Sequence, residues 1–171
     1  MKKFIAIILA ATILILLVSC GAKKDVKDYL TENNIEVEET TYEETFSDYE
    51  EAPATLSNLK PTFTANDVER IITGTSLTED SNIYGFILVE AKTKDSALTI
   101  YSYMVTMKTT LINYMQLIIS FASAFNTENT SNGEMESAIE TLNSIDVKIY
   151  KDKVVVFGTQ DTLTLLDKYY K

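Results

Sequence analysis

Residues 96–125 read SALTIYSYMVTMKTTLINYMQLIISFASAF, and the fold depends on whether this stretch is helix, strand or membrane span. Its first part, Thr99-Ile100-Tyr101-Ser102-Tyr103, is rich in β-branched and aromatic residues and has strand propensity. Leu98, Tyr101, Met104 and Val105 nevertheless recur at steps compatible with a helix, which predicts helix throughout. From Thr109 to Thr127 no residue is charged. A polar stripe of Asn113, Gln116, Ser120 and Ser123 runs through that part at steps of three and four. Polar side chains are costly against lipid, which argues against a lipid-surrounded span. The apolar arc around the stripe is wider than one sheet face covers. A buried core helix is therefore the first reading. A helix whose surplus face meets a partner or a second copy is the next, and membrane insertion is the last.

Upstream, Ile83–Ala91 is apolar on both faces and predicts a central strand covered twice. Before it, Thr64-Ala65-Asn66-Asp67 has the form of a capping box. Val68, Ile71 and Ile72 then form an apolar stripe that predicts a helix ended by Gly74, followed by a polar loop over residues 75–82. Downstream, residues 126–133 read as a loop. A shorter helix follows over residues 134–143, with Met135, Ala138, Ile139 and Leu142 inward. Ile145, Val147 and Ile149 alternate with polar neighbours as a half-buried strand. Lys151-Asp152 turns the chain into Val154–Phe157, and Thr159 opens a last helix that carries Leu163, Leu166 and Tyr170 on one face. The order predicts an α+β domain over residues 61–171: a small antiparallel sheet of three to four strands, packed by helices on one side, with one long apolar helix at about 96–126.

The preceding stretch differs in composition. Between Asp25 and Glu51 there are eleven acidic residues and one lysine, Lys27. High charge with few clustered apolar residues does not repay ordering entropy, so residues 20–60 are expected to be a disordered acidic tether, with at most a transient helix over 25–35. At the N-terminus, Lys2 and Lys3 precede an apolar run from Phe4 to Val18, which is shorter than the roughly 20 residues a spanning helix needs. Leu17-Val18-Ser19-Cys20 closes it.

Leu17-Val18-Ser19-Cys20, at this distance from a basic start, resembles the lipobox of bacterial lipoproteins. The resemblance covers residues 1 to about 21. It implies cleavage between Ser19 and Cys20, removal of residues 1–19, and a diacylglycerol on the Cys20 thiol. It further implies that the chain is extracytoplasmic and anchored to the cell membrane, or to the outer membrane of a double-membraned host. The aspartate that signals inner-membrane retention in that family is absent, since Gly21 and Ala22 follow the cysteine. The order of elements in the domain is also similar to small lipoprotein domains of unknown function from low-GC bacteria, but no motif carries residues across.

Composition narrows the function further. Removing Lys2 and Lys3 with the signal leaves 13 basic residues against 25 acidic ones, a net charge of −12. Such a chain repels a phosphate backbone, so nucleic acid is not expected as a partner. There is no histidine, and the only cysteine is the one assigned to lipid. The usual general base, thiol chemistry, thiolate metal sites and disulfides are thus not to hand, and no GxSxG, SxxK or HExxH pattern occurs. A non-enzymatic module is expected, without metal or cofactor apart from the covalent lipid. The expected partners are the bilayer, through Cys20, and an envelope protein or a second copy. Tyr101, Tyr114, Met115, Ile118, Phe121 and Phe125 are the candidate contact face, because tyrosine and methionine serve interfaces well. The plainer reading is that these residues pack around the core. Lys148, Lys151 and Lys153 read as a solvated turn. Alternative functions are a carrier of a small apolar ligand beside residues 111–125, a phage- or toxin-exclusion lipoprotein, and a hydrolase with two converging carboxylates.

Overall fold

The computed structural model describes residues 24–77, 83–124 and 131–171. In chain order the elements are helix α1 (Val26–Glu32), strand β1 (Glu36–Thr40), helix α2 (Tyr42–Glu50), strands β2 (Val68–Leu77) and β3 (Ile83–Ala91), helices α3 (Lys94–Ala124) and α4 (Ser131–Ser144), strands β4 (Ile145–Tyr150) and β5 (Val154–Thr159), and helix α5 (Gln160–Tyr170). The fold is α+β. Its strands form one antiparallel sheet in the order β1-β2-β3-β5-β4, five strands where three to four were expected. Ile83–Ala91 is the middle strand, as its two apolar faces predict.

Alternation along the strands sorts side chains into two cores. On one face Ile71, Val89, Val147, Val155 and Phe157 pack with Ala97, Ile100, Tyr103, Met104 and Met107 of α3 and with Phe46 of α2. On the other, Ile72, Phe86, Leu88, Val154 and Val156 meet Val26 and Leu30 of α1 and Leu163 and Leu166 of α5. Helices therefore cover both faces, not one.

That second layer explains why the predicted helix after Thr64 is a strand. A strand buried on both faces need not alternate, so its apolar residues can mimic helical spacing. Ile71 points to the first core and Ile72 to the second. The capping box itself forms, with the Thr64 amide donating to Asp67 Oδ2 at 3.0 Å, but it caps only the short 3-10 turn Ala65–Asp67. Gly74 does not stop anything. It pairs with Phe86 on β3, and Gly158 of β5 pairs with Phe86 from the other side. A Cβ on Gly74 would lie 2.1 Å from the Phe86 ring, and one on Gly158 would lie 2.8 Å from Phe86 Cβ. The two glycines make room for that ring.

The tether expected over residues 20–60 is the larger correction, because the fold already includes Asp25. Sparse apolar residues within the acidic stretch land on the sheet: Val26, Leu30 and Ile35 on one face, Phe46 on the other. Each such side chain contributes about 1.5–3 kcal/mol when buried, which average composition does not register. Phe46 sits edge-on to Phe63 at 5.1 Å and to Tyr103 at 6.1 Å. Local signals support both helices: Asp25 accepts from the Lys27 amide at 2.8 Å, and Thr41 and Glu44 form a reciprocal capping box. β1 pairs with β2 from Glu36↔Thr75 to Thr40↔Ile71 and so forms the edge of the sheet. Arg70 ties α1 to the sheet, reaching Asp25 at 2.9 Å and Glu90 at 2.8 Å. The Glu90 hydrogen bond, with Asp25 behind it, holds the Arg70 guanidinium well above its ordinary range.

Candidate functional site: an exposed helical arm

Helix α3 runs the length of the sheet and then past it. At its start, Lys94 pairs with Asp152 at 3.1 Å, and the Ser96 hydroxyl donates to Asp67 at 2.9 Å. Thr93 provides the cap, accepting from the Ser96 amide at 3.0 Å. Further along, Tyr103 donates its hydroxyl to the Leu59 carbonyl at 2.9 Å. Burial pushes the Tyr103 phenol well above its ordinary value. Lys108 donates to the carbonyl of Ile145, whose own partner in the sheet is Thr159 at the opposite end. Between Ser96 and Lys108 the helix thus crosses the sheet. At 1.5 Å per residue, residues 109–124 extend about 24 Å beyond it.

The same apolar seam continues through both parts. Ala97, Ile100, Met104 and Met107 are fully or almost fully buried. Continued at steps of four and three, the seam gives Leu111, Tyr114, Ile118 and Phe121. Leu111 still packs against the core, whereas Tyr114 is 41% and Phe121 57% exposed. Leu117, at 53%, completes an exposed strip with Tyr114 and Phe121, since residues three and four apart share one helix face. Asn113, Gln116 and Ser120 lie open beside it. Helix α4 packs along α3 and leaves Ile112, Met115, Ile118 and Ile119 half-buried.

Of the candidate residues, Tyr114 and Phe121 are thus brought together on an open face, with Met115 and Ile118 half-covered at its side. Tyr101 belongs to the periphery of the first core. Phe125, Ser19 and Cys20 lie outside the described residues. Leu117, which its spacing from Tyr114 and Phe121 puts on the same exposed face, was not among the candidates. Among the described residues no helix is long and apolar enough to cross a membrane, and no three His, Cys, Asp or Glu side chains converge to hold a metal.

Among the described residues, clefts also lie away from the arm. One of about 470 Å³ borders Glu36, Val37, Glu38, Thr73 and Gly74 on the edge pair β1–β2. One of about 300 Å³ lies between Lys148, Tyr150, Asp167 and Tyr170, and one of about 140 Å³ beside Lys60, Ser102 and Tyr103. In the second cleft, the Lys148 ammonium lowers the Asp167 carboxyl by hydrogen bonding to it. Nearer the aromatic cluster, burial and then the hydrogen bond to Glu50 push the Tyr42 phenol up to about 12. These arrangements are ion pairs and capped hydroxyls that join elements of the fold. The arm differs in kind: with no charge from Thr109 to Ala124, what it offers a partner is apolar surface. The chain matches no family model, no curated protein and no solved structure.

Proposed function

We propose that the chain is a lipid-anchored envelope protein whose α+β domain acts by binding an envelope protein or a second copy, without catalysis, through the distal half of α3. The observation that carries this reading is the exposed strip of Tyr114, Leu117 and Phe121 on the uncharged distal half of a helix that extends past its own sheet. Exposed large apolar side chains gathered on one face mark interaction surfaces, and aromatic residues dominate such contacts. The lipobox-like Leu17-Val18-Ser19-Cys20 supplies the address. A chain anchored by two or more acyl groups stays on its membrane, whereas one chain alone binds only marginally.

Two experiments test the two halves of the reading. Cys20→Ser in a lipoprotein-processing bacterium should leave the protein uncleaved or released, and unchanged processing with full membrane retention sinks the anchor. A photo-cross-linking residue at position 117 should give a discrete protein adduct in the envelope, and the same residue at the exposed Thr99 should not. Equal labelling from both positions removes the arm from the contact.

A further inference from the structure

We infer that the arm's partner is a second copy of this chain, packed antiparallel along the distal half of α3, with Tyr114 of each copy against Phe121 of the other. The inference rests on the reading of the arm as a contact surface and adds which molecule occupies it. Thr110, Tyr114, Leu117 and Phe121 follow one another at steps of four, three and four, the spacing that holds one helix face against another helix. Tyr114, Leu117 and Phe121 are 41%, 53% and 57% exposed. Helix α4 covers the other side of the arm. Leu117 and the half-buried Met115 are two residues apart, about 200° around the helix, so α4 with its exposed Glu136 and Glu140 stands behind the strip.

The chemistry of the face selects a copy over an unlike protein. Unlike partners are commonly matched by opposed charges. Two identical acidic chains repel, and near a two-fold axis each charge meets its own kind, so a self-contact has to be uncharged. Residues 109–124 carry no charge, in a chain with ten more acidic than basic residues. The polar side chains beside the strip, Asn113, Gln116 and Ser120, are all exposed, and each has both a donor and an acceptor. Such groups can bond to their own copies, which lysine or glutamate cannot. The strip also reads alike in both directions: reversal about a point between Leu117 and Ile118 carries Tyr114 onto Phe121 and sets the two Leu117 side chains beside the axis. The body of the domain decides the direction. Tyr103 lies eleven residues, about three turns, before Tyr114 on the same side of α3, and there Phe46, Phe63 and the turn at Leu59 cover it. Parallel arms would bring those coverings into the same space, whereas antiparallel arms set each one beyond the other's last described turn. A whole aromatic side chain has about 150–250 Å² to bury, so the exposed shares of Tyr114, Leu117 and Phe121 leave roughly 300 Å² per copy. Two facing strips with their polar flanks approach the roughly 1,000 Å² at which specific interfaces begin. The pair is therefore weak in dilute solution, and anchoring of both copies to one membrane raises the effective concentration at which they meet.

The full chain, expressed in a lipoprotein-processing bacterium with a photo-cross-linking residue at position 117, should give an adduct of twice its own mass that contains its own peptides alone. An adduct with a different protein overturns the second copy and leaves the arm as a contact surface. Labelling no greater than from position 99 removes the arm itself, and both readings fall. Direction is read from two full-length copies in one cell, Tyr114→Cys and Phe121→Cys, treated with a short bismaleimide, with the wild-type chain setting the background from Cys20. Like positions on antiparallel arms are offset by about 10 Å along the axis, so the mixed pair should be joined at least about ten-fold more than either variant with itself. Joining of each variant with itself at or above the level of the mixture overturns the antiparallel order. Leu117→Asp in both copies sets two carboxylates at the axis and should lower the mixed product at least about ten-fold. Leu117→Asp in one copy with Leu117→Lys in the other should restore it, which a misfolded variant does not do. Product that survives aspartate in both copies, or stays lost with opposite charges, overturns the contact at Leu117.

Discussion

The two halves of α3 carry similar residues and meet opposite surroundings. From Ala97 to Met107 the seam is enclosed by the sheet, by α2 and by the turn around Leu59. From Tyr114 to Phe121 the seam continues with residues as apolar, and α4 is the described element that packs along it. Residue type therefore does not decide burial here; the length of the strands does. β4 and β5 are six residues each, about 20 Å, while α3 is 31 residues, about 46 Å. A helix more than twice as long as β4 and β5, and about half as long again as the nine-residue β3, leaves an apolar remainder. In this chain the remainder is the exposed strip of Tyr114, Leu117 and Phe121.

The largest test of that contrast is truncation in each half. Ile100→Ala or Met104→Ala removes a fully buried side chain and should cost about 2–5 kcal/mol in urea unfolding. Leu117→Ala should stay within about 0.5 kcal/mol, because the side chain is already half in water. Equal losses would mean that the arm is as enclosed as the base, and the contact surface would be gone.

A smaller effect is expected within the sheet. Gly74→Ala should cost about 1–3 kcal/mol, since Phe86 must give way in a closed core. Gly85→Ala, one residue away on β3 with nothing within 4 Å of its Cβ, should lose nothing. If both glycines tolerate alanine, the sheet interior is looser than the register around Phe86 requires.

The smallest effect is in pH dependence. Tyr42, at about 12, and Tyr103 both hold their protons more tightly folded than unfolded, chiefly through burial. Their contribution to stability is complete below the ordinary tyrosine value of about 10 and is lost as pH rises through the folded values. Asp67 has the opposite sign: the Thr64 amide lowers its carboxyl, so its contribution is present above the ordinary range and lost as pH falls below it. With no histidine, stability should be flat from about pH 5 to 9. The alkaline loss should weaken in Tyr103→Phe, measured as unfolding midpoint against pH. An unchanged alkaline limb would detach it from the base of α3.

Much of this was legible in local pattern. The α+β class, the central strand Ile83–Ala91, the long helix, the β4–β5 hairpin and the last helix all follow from runs whose period or propensity is strong over several residues. That Tyr114 and Phe121 stand exposed was legible only as the second reading of an uncharged segment whose apolar arc is too wide for one sheet face; the first reading, a buried core helix, holds only for the part up to Met107. Elsewhere local pattern misled. Val68, Ile71 and Ile72 fit a helix as well as a two-sided strand, and the acidic stretch concealed four side chains that the sheet buries.

By itself, the sequence determined the residue classes and what chemistry they exclude: no imidazole, one cysteine that closes a lipobox-like motif, a strongly negative chain with two long uncharged segments, 4–22 and 109–127. The tertiary structure alone decided which half of the seam is buried, that Gly74 and Gly158 flank one phenylalanine, and that Val26 and Leu30 meet Leu163 and Leu166 on the second face of the sheet. The reason is physical. Propensity and exclusion act between neighbours in the chain, whereas burial depends on register and strand length, which relate residues more than a hundred positions apart.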